Sequence, residues 1–113
     1  MSTTKDDEIR AALEELRQEY FAELPALLEA LTTAVKTAKS SKSPEDLQAA
    51  ISKAHALKGT SGSYRFTEIS EAAGLMEDGL LGLQAGWLSA DTGWPEIDRA
   101  LASAMDALEK SSI

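Results

Sequence analysis

Apolar residues recur at steps of three and four along almost the whole chain, which is the period of amphipathic α-helices. The first such segment covers residues 6–39, with apolar positions Ile9, Leu13, Leu16, Tyr20, Phe21, Leu24, Leu27, Leu28, Leu31 and Val35. Pro25 interrupts this segment, because proline lacks a backbone donor and disfavours helical geometry at the preceding residue. The pattern allows either two helices joined near residues 21–24 or one kinked helix.

Three further segments have the same period. Ser43 and Pro44 are typical of a helix start, since serine caps the free backbone N–H groups and proline fits the first helical position. Pro95 marks a second start of this kind, and Trp87 and Leu88 are expected to anchor the loop before it. We predict helices over residues 44 to about 64, 67–85 and about 91–110.

These segments predict an all-α fold, an antiparallel four-helix bundle with an additional or extended N-terminal helix. The chain has 113 residues, of which 43% are hydrophobic, enough to build one core. We find no internal repeat and no linker, so we expect a single domain over residues 1–113. Because the chain begins with methionine and has no kinase segment, we expect a free-standing protein.

The formal net charge of −8 disfavours binding to nucleic acid or to anionic lipid. No apolar stretch approaches the roughly 20 residues of a membrane span, and the polar N-terminus is no signal peptide. The absence of cysteine excludes disulfides and thiolate metal sites and suits a reducing compartment. We expect a cytoplasmic protein that is a monomer and holds no metal or cofactor of its own.

His55, the one histidine of the chain, is the strongest functional candidate. At 100° per residue it lies roughly 115° from the centre of the apolar stripe of its helix, so it should face solvent. Two glycines follow it closely, although each mid-helix glycine costs about 1 kcal/mol relative to alanine. The residues that share its side of the helix carry polar or no side chains: Gln48, Ser52, Gly59 and Gly62.

An accessible imidazole beside a lysine suits the acceptance of a phosphoryl group. Neutral imidazole is a good nitrogen nucleophile at cellular pH, and Lys58, three residues on, could offset the charge of the transferring group. We find no general base among the neighbours of His55 in the sequence and no glycine-rich phosphate loop. The activated phosphoryl group and its magnesium ion should therefore come with a partner.

The segment around the histidine resembles the His-x-Leu-Lys-Gly-Ser/Thr-Ser/Ala motif of histidine-containing phosphotransfer (HPt) domains. The resemblance extends to Phe66, to the following helix and to the early helix, and thus covers most of the chain. The segments that carry it are His55-Ala56-Leu57-Lys58-Gly59-Thr60-Ser61-Gly62, Glu68-Ile69-Ser70-Glu71-Ala72-Ala73 and Tyr20-Phe21-Ala22-Glu23-Leu24-Pro25.

The resemblance implies a phosphorelay intermediate that is phosphorylated at Nε2 of His55. Lys58 would assist the phosphoryl group, and Gly59 would let the partner approach. The implied partners are receiver domains of response regulators or of hybrid histidine kinases, with magnesium held by the receiver. Arg65 stands where the family usually has glycine. It either alters the turn after the histidine helix or adds positive charge at the docking rim, and we favour the second.

Two alternatives remain open. The bundle could regulate a receiver or a kinase by binding alone, without phosphorylation. The phosphotransfer domain of chemotaxis-type kinases has a similar motif and is the other alternative.

Overall fold

The computed structural model describes residues 4–111, and within that range it contains four α-helices and no strand. The helices are α1 (Lys5–Ser41), α2 (Pro44–Ser63), α3 (Thr67–Ala85) and α4 (Ala90–Lys110). Each helix packs against the helices before and after it in the chain, and α1 closes the ring against α4. The prediction of an all-α four-helix bundle is confirmed.

The first helix is continuous through Pro25, so the extended N-terminal helix is the correct alternative. Pro25 is exposed, whereas Leu24 and Leu28 on either side of it are buried in the core. Proline inside a helix costs about 3 kcal/mol. Burial of the leucines at each end of this turn offsets that cost, because a fully buried leucine contributes about 1.5–3 kcal/mol.

The start of α4 differs from the prediction. The helix begins at Ala90 after Ser89, and Pro95 lies in its second turn rather than near its first position. The carbonyl oxygen of Ser89 accepts from the N–H groups of both Thr92 and Gly93 in the first turn of the helix. Pro95 therefore leaves the carbonyl of Asp91 without its usual helical donor, a loss of one bond that the helix tolerates.

The expected anchor of the α3–α4 loop is half wrong. Trp87 is 82% exposed and does not hold the loop to the bundle. Leu88 does so, because its side chain packs where Gly82 of α3 leaves space. Gly86 ends α3 in the left-handed conformation that favours glycine.

The turn from α2 to α3 is a Schellman motif. The N–H of Phe66 donates to the carbonyl of Ser61, and that of Arg65 donates to the carbonyl of Gly62. This motif requires a left-handed residue at the position of Arg65, whose φ is 66°. Glycine suits such a residue best, so the arginine keeps the turn geometry but adds strain.

Helix α1 is tied to the same end of α2 by a buried hydrogen bond. The hydroxyl groups of Tyr20 and Ser61 lie 2.9 Å apart, and the Tyr20 ring stacks on that of Tyr64. Burial raises the pKa of the Tyr20 hydroxyl. Within residues 4–111, none of the helices is both long and apolar enough to cross a membrane.

We expect Arg65→Gly to raise the free energy of unfolding by about 1 kcal/mol, because glycine removes the strain of the left-handed backbone. Urea denaturation would measure the shift in midpoint. Arg65→Ala is the matched control, since it removes the side chain and keeps the strain. Equal stability of the glycine and alanine variants would contradict the prediction.

Candidate functional site

The site lies where α2 and α3 pack side by side. Because the two helices are antiparallel, each step of seven residues along α2 is matched by seven residues back along α3. Three pairs of contacts follow this register along the shared edge: Gln48–Gln84, His55–Glu77 and Gly62–Ser70. The Ser70 hydroxyl also donates to the carbonyl oxygen of Lys58 and ties the two backbones together.

The His55 side chain is 75% exposed and stands at the middle of this edge. Its Nδ1 lies 2.6 Å from Oε2 of Glu77. An ionised carboxylate can only accept hydrogen bonds, so Nδ1 carries the proton and donates to it. Nε2 is then left with a free lone pair on the exposed side of the ring.

The Glu77 side chain is only 12% exposed, and it lies between a hydrogen-bond partner and an ion-pair partner. Besides His55, the Lys58 Nζ lies 3.8 Å from Oε1 of Glu77. The lysine stem runs over Gly74, where an added Cβ would lie 3.5 Å from it. A buried carboxylate needs such partners, because an unpaired charge in the interior is costly.

The lysine therefore lies beside the imidazole without enclosing it. Lys58 is half exposed, and its ammonium group reaches the same carboxylate as His55 from the next turn of α2. The arrangement combines an oriented imidazole with an exposed Nε2, a fixed negative charge behind it and a positive charge beside it. This chemistry suits a group that receives an anionic electrophile.

The α2 surface around His55 is exposed to solvent. A Cβ at Gly59 would meet nothing within 4 Å, so this glycine is not needed for packing within the bundle. Ser52 is exposed one turn before His55 and accepts a long hydrogen bond from the Gln48 amide. Gln48 in turn accepts from the Gln84 amide on α3. These three α2 residues thus share one open face with the histidine.

Gly62 and Arg65 are both exposed and lie at the C-terminal end of α2 and just beyond it. A Cβ at Gly62 would lie 3.1 Å from the Ser70 hydroxyl, so Gly62 allows close approach of α2 and α3 as well as being exposed. Arg65 lies beyond the end of α2, which ends about 12 Å along the axis from His55. It lies against residues of α1 rather than beside the histidine.

An apolar groove runs along the other side of α2, between α2 and α1. It has a volume of about 220 Å³, and its lining includes Leu27, Ala30, Lys53, Ala56 and Thr60. Leu27 is an exposed leucine of α1, one residue from the buried Leu28. Leu27 thus gives α1 an exposed apolar contribution to the surface beside α2.

The sequence pattern does not single out Glu77, which lies 22 residues from His55 and is therefore not one of its sequence neighbours. In the folded chain, however, the Glu77 carboxylate lies at hydrogen-bonding distance from the His55 imidazole. The sequence does contain a signal for this contact. The helical hairpin turns at residues 64–66, and antiparallel packing brings together residues that are equally far from the turn. The acidic residues at about that distance from the turn are Glu77 and Asp78, between the apolar Met76 and Leu80.

Comparison with protein families gives one match. The model of the Hpt domain family matches residues 15–111 of the chain. Searches of curated proteins and of solved structures found no significant match.

Because the chain has one histidine, ¹⁵N NMR of the imidazole reports on His55 alone. We expect the neutral ring to carry its proton on Nδ1 in the wild type. Glu77→Ala removes the acceptor and should move the proton towards Nε2, whereas Glu77→Gln retains an amide oxygen and should preserve the Nδ1 form. Glu71→Ala, which removes an exposed carboxylate of α3, is the control. An unchanged tautomer in Glu77→Ala would refute the assignment.

Proposed function

The chain belongs to the Hpt domain family, and from that premise we propose that it is a phosphorelay intermediate that carries the phosphoryl group on Nε2 of His55. Membership of the family implies a histidine phosphotransfer role in two-component signalling. The observation that carries the finer assignment is the exposed imidazole whose Nδ1 is held 2.6 Å from the Glu77 carboxylate.

Transfer follows from this geometry. The Nε2 lone pair attacks the phosphorus of an aspartyl phosphate on the receiver domain. The new P–N bond forms as the P–O bond to the aspartate breaks, and the electron pair leaves with the aspartate carboxylate. No proton needs to move, because Nδ1 already carries it. The ring becomes cationic, and the Glu77 carboxylate stabilises that charge through its hydrogen bond.

Reverse transfer uses the same groups. When a second receiver presents its aspartate, the cationic ring is a good leaving group and returns to the neutral form with its proton on Nδ1. Lys58 stabilises the negative charge of the phosphoryl oxygens in both directions. Without a nucleotide-binding loop of its own, the protein acts as a carrier, and the receiver supplies the magnesium ion.

The receiver docks over the open face of α2. Gln48, Ser52 and Gly59 line this face around His55, and the apolar groove beside Leu27 extends it towards α1. Small side chains let the aspartyl phosphate approach the imidazole, because in-line transfer requires the reacting atoms to come within about 3–3.5 Å. The partners are receiver domains of response regulators or hybrid kinases, and we place the protein in the cytoplasm.

We expect wild-type protein mixed with a phosphorylated receiver domain and magnesium to acquire an acid-labile, alkali-stable label. His55→Gln should acquire none, because glutamine lacks the nucleophilic ring nitrogen. Autoradiography after acid and alkali treatment measures this difference. A label that persists in His55→Gln would overturn the assignment, and binding of the receiver without any label would favour the binding-only alternative.

We expect Gly59→Glu to slow transfer at least tenfold, because a long charged side chain blocks the approach to His55 and costs roughly 1.4 kcal/mol or more. The same change should not weaken the fold, since Gly59 has no packing neighbour and glutamate is the better helix former. Rapid-quench transfer assays and urea denaturation measure the two effects. Ala102→Glu, on the exposed face of α4, is the control. A normal transfer rate in Gly59→Glu would show that the docking face is wrong.

A further inference from the structure

The first turns of α1 extend past the end of the bundle. The Arg17 Nε donates to the carbonyl oxygen of Tyr64 at 2.9 Å, so Arg17 is level with the end of α2. The residues of α1 before it, 5–16, therefore run about 18 Å beyond that end. The match to the Hpt family begins only at residue 15, so most of this extension lies outside the matched region.

The extension carries an apolar stripe without a partner. Ile9, Leu13 and Leu16 are spaced by four and three residues, and each is between 45% and 56% exposed. The stripe continues directly into Tyr20, which is buried in the core. We call these three exposed residues the N-terminal seam. Apolar residues at this spacing are typical of the side of a helix that packs against another helix.

A cleft joins the N-terminal seam to the α2–α3 turn. Its volume is about 590 Å³, and it is lined by Leu13, Tyr64 and three arginines, Arg10, Arg17 and Arg65, among others. The whole chain has four arginines and a net charge of −8, so three of its four arginines converge on one cleft of an acidic protein. Glu14 is the one acidic residue among the lining residues, so the cleft keeps an excess of positive charge, which complements an acidic ligand.

The backbone strain at Arg65 also supports a binding role for this cleft. Arg65 holds a left-handed backbone conformation that glycine would adopt with less strain, and its side chain is exposed in the cleft. Strain retained at an exposed side chain is a sign of a binding role. Arg17 is fixed in the cleft because its guanidinium stacks on the Phe66 ring, 4.3 Å from the centroid.

We propose that the N-terminal seam and this cleft bind an acidic amphipathic helix of a partner protein. The apolar side of that helix would pack on Ile9, Leu13 and Leu16, and its acidic edge would face the arginines. A second copy fits less well. A parallel copy of α1 would run into α2, and an antiparallel copy would place Arg10 and Arg17 beside the same residues of its partner.

This surface lies beyond the C-terminal end of α2, whereas His55 is about 12 Å back along that helix. A bound helix would leave the face of Gln48, Ser52 and Gly59 open. The proposal is independent of the phosphorelay assignment, because it rests on a different part of the chain. It adds a second partner that can be held while a receiver approaches the histidine.

The probe is a fluorescent peptide of three heptads with leucine at a and d and glutamate at e and g. The matched peptide has lysine at e and g. We expect the acidic peptide to bind the full chain at least about tenfold more tightly than the basic one in fluorescence anisotropy, with the difference shrinking as salt rises. Equal affinity for both peptides, or no binding of either, would overturn the proposal.

Substitutions in the N-terminal seam and in the cleft test where the acidic peptide binds. Leu13→Glu should weaken binding of the acidic peptide about tenfold or more, whereas Leu75→Glu, at an equally exposed leucine of α3, should not. Arg65→Gly should weaken binding while stabilising the fold, a combination that a purely structural role would not produce. Receiver phosphotransfer should be unchanged in Leu13→Glu. Unaltered peptide binding in Leu13→Glu would overturn the proposal.

Sedimentation of the protein alone tests the competing occupant. We expect a single species at all concentrations in wild type and Leu13→Glu. A concentration-dependent dimer that Leu13→Glu abolishes would assign the N-terminal seam to a second copy and overturn the proposal of a partner helix.

Discussion

The contact between Nδ1 of His55 and the carboxylate of Glu77 is the interaction on which the site depends. It sets the tautomer of the ring and leaves Nε2 exposed, and in the proposed transfer it places a negative charge beside the ring that becomes cationic. The contact forms only in one register of α2 and α3. The Ser70 hydroxyl holds that register through the Lys58 carbonyl, and the lysine stem fits over Gly74.

The start, the middle and the end of α2 differ in the contacts that they make. Its start is capped by Ser43, and its middle carries the exposed imidazole of His55. Its end is locked by the Schellman turn and by the buried hydrogen bond between Tyr20 and Ser61. Because the end is rigid, Arg65 can keep a strained conformation there. The proposed phosphoryl-accepting site thus lies on the middle of α2, whereas the proposed second recognition surface lies beyond its C-terminal end.

The differences from the sequence-based expectations have a common cause. Pro25 remains inside one helix because the leucines beside it are buried, and Pro95 remains inside another because the helix already begins at Ala90. Trp87 is exposed, whereas the smaller Leu88 packs against α3. In each case the local sequence preferences indicated which residues could end a helix or anchor a loop. Packing against elements that are distant in sequence decided the outcome, because the free energy gained by burying apolar side chains exceeds the free energy of one lost hydrogen bond.

The sequence by itself determined the helical segments, the exposure of His55 and the open space at Gly59, because the helical period sets the angle of each side chain relative to the apolar stripe. It also carried the motif of the family. Only the tertiary structure decided that Glu77 meets the imidazole and that Arg10, Arg17 and Arg65 share a cleft. Those contacts join different helices, and their register depends on how side chains interlock across the bundle rather than on any local pattern.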